Sequence, residues 1–229
     1  VFKEGGGFDV IAGNPPWVGI EMDQTGVLSE THPEIAIRGL SASQVNKLSS
    51  QYLDETLELK NNYLSESIWA MSTKEFLGAV QCYPLLEGQR NNLYKCILVN
   101  CIDIIAKNGY CGLIHPEGIY DETKAKQIRK EVYPRLEYHF QFKNELLLFA
   151  DVMNTRMYSV NVYGEKKNNI KFKSISNLFS VSTIDQSFKN RNNDILGFKR
   201  YDSVLGKWVW EITGNSTRIV EFDQKLLSK

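Results

Sequence analysis

The 229-residue chain carries 27 Lys and Arg against 27 Asp and Glu, with 42% hydrophobic and 24% charged residues, an ordinary globular balance with enough length to bury a sizeable core. Zero net charge argues against a broad basic nucleic-acid surface, and no apolar run approaches the about 20 residues that span a bilayer. The start, Val1-Phe2-Lys3-Glu4-Gly5-Gly6-Gly7, lacks a signal-peptide pattern, so the expected location is cytoplasmic, with no membrane partner. Cys82, Cys96, Cys101 and Cys111 have no CxxC spacing and read as buried, reduced thiols; His32, His115 and His139 are too scattered for a helical metal pair, and no metal is expected.

Residues 1–7 read as a flexible lead-in. The four apolar or small residues after Asp9 then read as a short buried strand, which Gly13 and Pro15-Pro16 stop, because proline cannot donate to a ladder and fixes its own φ. The result is a stiff loop at the carboxyl edge of a strand, where open α/β sheets bind ligands. There Asn14 offers a side-chain carbonyl, Pro15 a backbone carbonyl outside the ladder, and Trp17 a flat face. Two acceptors beside an aromatic plane suit a planar base with an exocyclic amine. The plainer reading of the same residues is a strand-ending turn with a packed tryptophan.

Residues 18–92 read as a long helical insertion, whose acidic and aromatic content favours packing over a lid. Ser41-Ala42-Ser43-Gln44 can cap a helix through Val45, Leu48, Tyr52 and beyond, Leu53, Leu57 and Tyr63-Leu64 keep a loose helical period, and Ser72 with Glu75 has capping-box spacing ahead of Phe76 and Leu77. From Asn92 to Ile105, the positions Tyr94, Ile97, Leu98, Cys101, Ile102 and Ile105 fall on one helical stripe. Lys107-Asn108-Gly109 is predicted to end that helix with a cation and a glycine cap. Tyr110 to His115 follow as a buried strand stopped by Pro116, completing half of a βαβ crossover.

A charged helix is expected from Lys124 to Val132, ending at Pro134, and the alternation from Leu136 to Phe142 predicts an outer or edge strand. Leu146 to Val152 turn into a second alternating strand, Thr155 to Tyr163, and Asp151 reads as a turn cap. After Gly164 come a polar linker, apolar runs at Ile170 to Phe172 and Trp208 to Trp210, and a terminal helix from Arg218 to Leu227. Trp208 and Trp210 alternate, so one is expected to pack and the other to be exposed. Residues 165–229 hold 12 Lys and Arg against 7 Asp and Glu, a modestly basic segment that solvated surface and DNA contact explain about equally well.

Asn14-Pro15-Pro16-Trp17, following its apolar strand, resembles the Asp/Asn/Ser-Pro-Pro-aromatic catalytic loop of S-adenosylmethionine-dependent amino-group methyltransferases. It most resembles that of the N6-adenine DNA methyltransferases of restriction–modification and phage-defence systems. The resemblance implies an α/β fold: part of a Rossmann-like methyltransferase sheet with a helical insertion and a small C-terminal extension. Residues 1–164 would be the C-terminal half of the catalytic domain, interrupted by 18–92. Residues 165–229 would be a linker and extension at the start of a DNA-recognition region.

The roles implied are catalytic for Asn14, Pro15, Pro16 and Trp17, the Asn and first Pro carbonyls holding the target amine while the aromatic stacks on the extruded base. Leu93-Tyr94 resembles the family's next motif and would put Tyr94 near the cofactor pocket, a plain core role being the equal alternative. Pro116-Glu117-Gly118-Ile119 would form an active-site wall. Phe149 is the candidate for the family's aromatic that flanks the target base, a structural role being the alternative. The implied cofactor is S-adenosyl-L-methionine. The implied partners are double-stranded DNA with a flipped adenine, a missing N-terminal cofactor-binding half, and a fused or associated endonuclease or specificity region.

The family's Gly-rich cofactor turn has no counterpart, since Gly5-Gly6-Gly7 precedes a strand instead of following one. The chain therefore reads as a fragment of a site-specific DNA adenine-N6 methyltransferase, inactive in isolation. The same loop chemistry also serves protein-glutamine and RNA amino-methyltransferases. A fragment without its methyl donor reads equally as a structural or DNA-binding piece.

Overall fold

The computed structural model describes residues 6–190 and 197–228, so the first five residues of the expected lead-in lie outside it. The chain forms two compact units, one comprising Val18–Asn92 and the other Val1–Trp17 with Leu93–Lys229.

The Val18–Asn92 unit is helical: α1 (Gln24–Ser29), α2 (Glu34–Ile37), α3 (Ala42–Leu53) and α4 (Leu57–Gly78). Local chemistry sets the starts. Asp23 accepts from the Gly26 amide at 2.8 Å, Gln44 Oε1 from the Ser41 amide at 2.9 Å, and Thr56 Oγ1 from the Leu59 amide at 3.2 Å. Leu28, Ile35, Val45 and Leu59 form the core, with Leu40, Tyr52, Leu53 and Tyr63 against it. The start predicted at Ser72 does not occur. Nothing between Leu57 and Leu77 is glycine or proline, so α4 runs through Ser72, a tolerated interior position.

The other unit carries β1 (Phe8–Gly13), α5 (Leu93–Ile104), β2 (Ile105–Pro116), α6 (Gly118–Asp121), α7 (Lys126–Val132), β3 (Leu136–Lys143), β4 (Met157–Tyr163), β5 (Lys171–Leu178), α8 (Ser182–Lys189), β6 (Lys199–Asp202), β7 (Lys207–Trp210), β8 (Val220–Asp223) and α9 (Gln224–Leu227). Its architecture is α/β. Six strands form a mixed sheet in the order β1-β2-β4-β3-β5-β8, and β6 and β7 make a separate hairpin. β1 with β2 and β3 with β5 are parallel, and the other neighbours antiparallel. Residues beyond Gly164, read as linker and extension, thus contribute β5 and β8 to the same sheet.

Several expectations are corrected. Among the described residues β1 is not buried but outermost in the sheet, bonded to β2 alone, and Val10 is 72% exposed. β3 is no edge strand but lies between β4 and β5. Its alternation separates two buried faces instead of core from solvent, with Phe140 and Phe142 on one and His139 and Gln141 on the other, facing Asn161 and Ser159. α5 ends directly into β2, and the left-handed residue is Asn108, at φ 70°, instead of Gly109. Gly109 is required for space, since a Cβ there would lie 2.7 Å from the Phe8 carbonyl oxygen.

The predicted Arg218–Leu227 helix is instead β8 followed by α9. Val220 and Phe222 alternate, and pairing with β5 stacks Phe222 on Phe172 at 5.1 Å. Cys96, Cys101 and Cys111 are buried, but Cys82, in a turn after α4, is exposed. Trp210 stacks on Phe179 at 4.4 Å while Trp208 is 65% exposed, as the alternation required. Among the described residues no helix is long and apolar enough to cross a membrane.

Candidate active site

The Asn14–Trp17 loop leaves the sheet where its register with β2 ends, at Gly13 opposite Leu113, so the carbonyls of Asn14 and Pro15 lie beyond the ladder. Pro15 is buried and Pro16 exposed, two fixed φ angles that hold the backbone as it leaves the strand. Asn14 is exposed, and its amide makes no hydrogen bond with another described residue. Trp17 is half-buried and held at its polar edge: Nε1 donates to the Ile114 carbonyl at 3.1 Å.

A pocket of about 320 Å³ opens between this loop and Phe149-Ala150-Asp151-Val152, within the range of small-molecule sites. The structure thus brings Asn14, Pro15, Pro16, Trp17, Phe149 and Asp151 together. Phe149 lies 5.2 Å from Trp17, centroid to centroid, and both lean on Tyr158, at 4.9 and 5.5 Å. These tilted and edge-on contacts fix the indole plane. Tyr158 stacks in turn on Phe142 at 5.4 Å, inside the core that includes Phe140, Ile175 and Leu178.

Asn144 was not anticipated. It is fully buried, and its Nδ2 donates to the carbonyls of Phe149 at 2.8 Å and Val152 at 2.6 Å, while Oδ1 accepts from the Phe149 amide at 3.1 Å. One side chain thereby ties down the Phe149–Val152 wall. The following turn also holds Leu147 at φ 50°, a left-handed conformation that a branched residue adopts only under constraint. The sole signal in the sequence was an asparagine after an alternating strand.

Tyr94 is not in this pocket. It is 2% exposed and stacks on His115 at 5.2 Å, on the sheet face opposite Ile114 and Trp17. Burial, and then Glu122, Asp121 and Glu117, push its phenol well above the ordinary value, so it stays neutral. That face is a buried polar layer. His115 Nδ1 lies 2.8 Å from the Pro116 carbonyl, which assigns the proton to Nδ1, and Nε2 accepts from the Tyr163 hydroxyl at 2.7 Å. Burial lowers the His115 pKa to about 4.

Glu117, in the loop after β2, accepts from Gln141 Nε2 at 2.7 Å and meets His139 Nε2 at 3.3 Å. Burial alone would raise its pKa, but His139, Ser159 and Gln141 outweigh it and hold the carboxyl below its usual range. Lys95, buried beside Tyr94 on α5, pairs with Glu122 at 2.6 Å. Pro116-Glu117-Gly118-Ile119 therefore anchors into the polar layer and does not line the Asn14–Trp17 pocket.

A second pocket, about 260 Å³, lies by Asn108, Tyr110 and Lys167, but Lys167 is already paired with Glu137 at 2.6 Å. Among the described residues no group of three or more His, Cys, Asp or Glu is placed to hold a metal ion.

No protein-family model and no curated protein matches the chain. Among solved structures it is similar to the methyltransferase subunit of a type I restriction-modification system from Streptococcus thermophilus. That match has 11% identity and a TM-score of 0.43, and covers 82% of this chain and 32% of that one. It is also similar to a chain in a structure of a type I restriction-modification system in complex assembly, at 10% identity and TM-score 0.44, covering 97% and 36%. A third match is the type IIG restriction endonuclease BpuSI, at 14% identity and TM-score 0.39, covering 69% and 18%. The chain spans about a third or less of the length of each.

Proposed function

We propose that this chain carries the base-binding half of a DNA adenine-N6 methyltransferase of the restriction–modification kind. The observation that supports this reading is the convergence of the Asn14 amide and the Trp17 and Phe149 rings on one pocket at the carboxyl end of β1. An adenine N6 amine is conjugated with its ring and is a weak nucleophile. Hydrogen bonds donated by its two protons to the Asn14 side-chain oxygen and the Pro15 carbonyl would hold the amine and turn its lone pair outward, and alignment supplies much of the acceleration.

A duplex base must first leave the stack, which costs a few kcal/mol. Stacking on Trp17, worth about 1–3 kcal/mol by analogy with single-strand binders, would offset part of that. The fixed indole plane matters because the ring need not be ordered on binding.

S-adenosylmethionine would supply an electrophilic methyl group. The residues described here fit the acceptor base and not that donor: the pocket pairs amide and carbonyl acceptors with aromatic faces, and Tyr94 is buried against His115. Donor binding is therefore assigned to sequence beyond these residues, and the chain alone is expected to be inactive.

The test is transfer of labelled methyl groups from S-adenosylmethionine to duplex DNA, RNA and protein acceptors by the complete enzyme. Label on DNA adenine N6, lost in Asn14→Ala with an unchanged melting temperature, is expected. Label on RNA or on protein glutamine would replace the substrate, and normal turnover by Asn14→Ala would overturn the site. Micromolar binding of S-adenosylmethionine by the isolated chain in calorimetry would overturn its reading as the acceptor half.

A further inference from the structure

The β6–β7 hairpin is a structured feature that the proposed active site does not use. Its register pairs Tyr201 with Trp208 and Lys199 with Trp210 on one face, and Arg200 with Val209 and Asp202 with Lys207 on the other. Trp210 anchors the base of the hairpin on Phe179, and Lys199 lies 4.2 Å over the Trp210 ring. Beyond that anchor, Tyr201 and Trp208 pack edge to face at 5.8 Å and are both exposed.

The tip is ordered by Asp202, whose carboxylate accepts from the Val204 amide at 3.0 Å and the Leu205 amide at 3.1 Å, and by Gly206 at φ 63°. What this turn presents is apolar: Val204 is 92% exposed and Leu205 59%. A built turn that displays two aliphatic side chains beyond an exposed aromatic pair is costly to leave in water. Lys207 adjoins it, with Arg200 and Lys199 further along the partner strand; Asp202 is engaged by the turn amides and by Arg200 at 3.5 Å, and Arg200 also lies 4.0 Å from the Glu211 carboxylate just beyond β7.

We propose that the β6–β7 hairpin is a duplex-DNA contact, with Lys199, Arg200 and Lys207 toward phosphates and Val204-Leu205 seated at a base step in a groove. Charge complementarity selects the partner. Cations along both strands and an apolar tip match a polyanion that carries a hydrophobic interior, and a two-stranded ribbon fits the about 12 Å major groove. In that groove an aliphatic tip meets the thymine methyl groups, the apolar feature that the base edges present there. The inference deepens the proposed function and rests on it for the choice of DNA.

The experiment is fluorescence anisotropy of the 229-residue chain with a labelled duplex of about 25 base pairs at several salt concentrations. The double variant Val204→Ser with Leu205→Ser, both exposed and so without cost to the fold, is expected to weaken binding at least fivefold at an unchanged melting temperature. Lys207→Gln is expected to lower the slope of log K against log salt by about 0.9, the loss of one phosphate contact. Equal binding by the double variant, or no duplex binding by the parent chain, overturns the hairpin contact. The methyl-acceptor assay reads the active site separately. DNA labelling with hairpin-independent binding sinks this inference alone, and label on RNA or protein with hairpin-dependent duplex binding sinks the substrate reading alone.

Discussion

His115 should impose a pH dependence on folding that one substitution removes. The imidazole is fully buried, stacks on Tyr94, and is neutral in its network: Nδ1 donates to the Pro116 carbonyl, and Nε2 accepts from Tyr163 and lies 3.0 Å from the Asn161 amide nitrogen. A proton on Nε2 would set a cation in a desolvated layer and a donor against the Asn161 amide. The folded pKa is accordingly lowered to about 4 from 6.5. The unfolded chain thus binds the proton first, and stability is fully present above about pH 6.5 and is lost as pH falls toward 4.

At pH 4.5 nearly all of the unfolded and about a quarter of the folded population is protonated there, a loss of about 2 kcal/mol relative to pH 7. The assay is urea unfolding at both pH values for the parent and for His115→Gln. The buried carboxylate Glu117 also loses stabilisation on acidification, but it does so in both proteins, so the difference isolates His115. The parent should lose about 2 kcal/mol more than the variant between pH 7 and 4.5. Parallel pH profiles would refute the neutral, buried assignment.

Asn144→Ala strips donors from the Phe149 and Val152 carbonyls and an acceptor from the Phe149 amide, three bonds at about 1 kcal/mol each. A loss of about 2–4 kcal/mol in urea unfolding is expected, and a loss under about 0.5 kcal/mol would show that the Phe149 wall holds itself. In the complete enzyme the same variant should raise KM for DNA more than it lowers kcat. The Tyr158 hydroxyl is buried with no hydrogen-bond partner among the described residues. Tyr158→Phe should therefore leave stability unchanged or raise it by about 1 kcal/mol, whereas a drop of more than about 1 kcal/mol would reveal a bond to that hydroxyl.

The sequence, read alone, was most informative where a residue acts on its immediate neighbours. The helix start within Ser41-Ala42-Ser43-Gln44, the break at Gly13-Asn14-Pro15-Pro16 and the stop at Pro134 follow from φ restriction and capping, which extend over a few residues. The turn that carries Asn14 and Trp17 off the end of β1 was legible for the same reason. Even the split between Trp208 and Trp210 followed from strand alternation.

Questions of which face meets what were decided only by tertiary structure. The alternation in Leu136 to Phe142 marks two environments, and a buried polar layer gives the same pattern as solvent. The apolar run in β1 states a strand but not its neighbours, so an edge position was not readable. Arg218 to Leu227 was read as one helix, and pairing of Val220–Asp223 with the edge of β5 overrode it. Tyr94 sat on the expected helix, yet its ring direction depends on a β2 residue 21 positions away, His115. Asn144 supports the candidate pocket only because the chain returns to it through Phe149 and Val152. Short-range sterics are written residue by residue, while burial and hydrogen-bond partners belong to pairs distant in the chain, which a single sequence does not list.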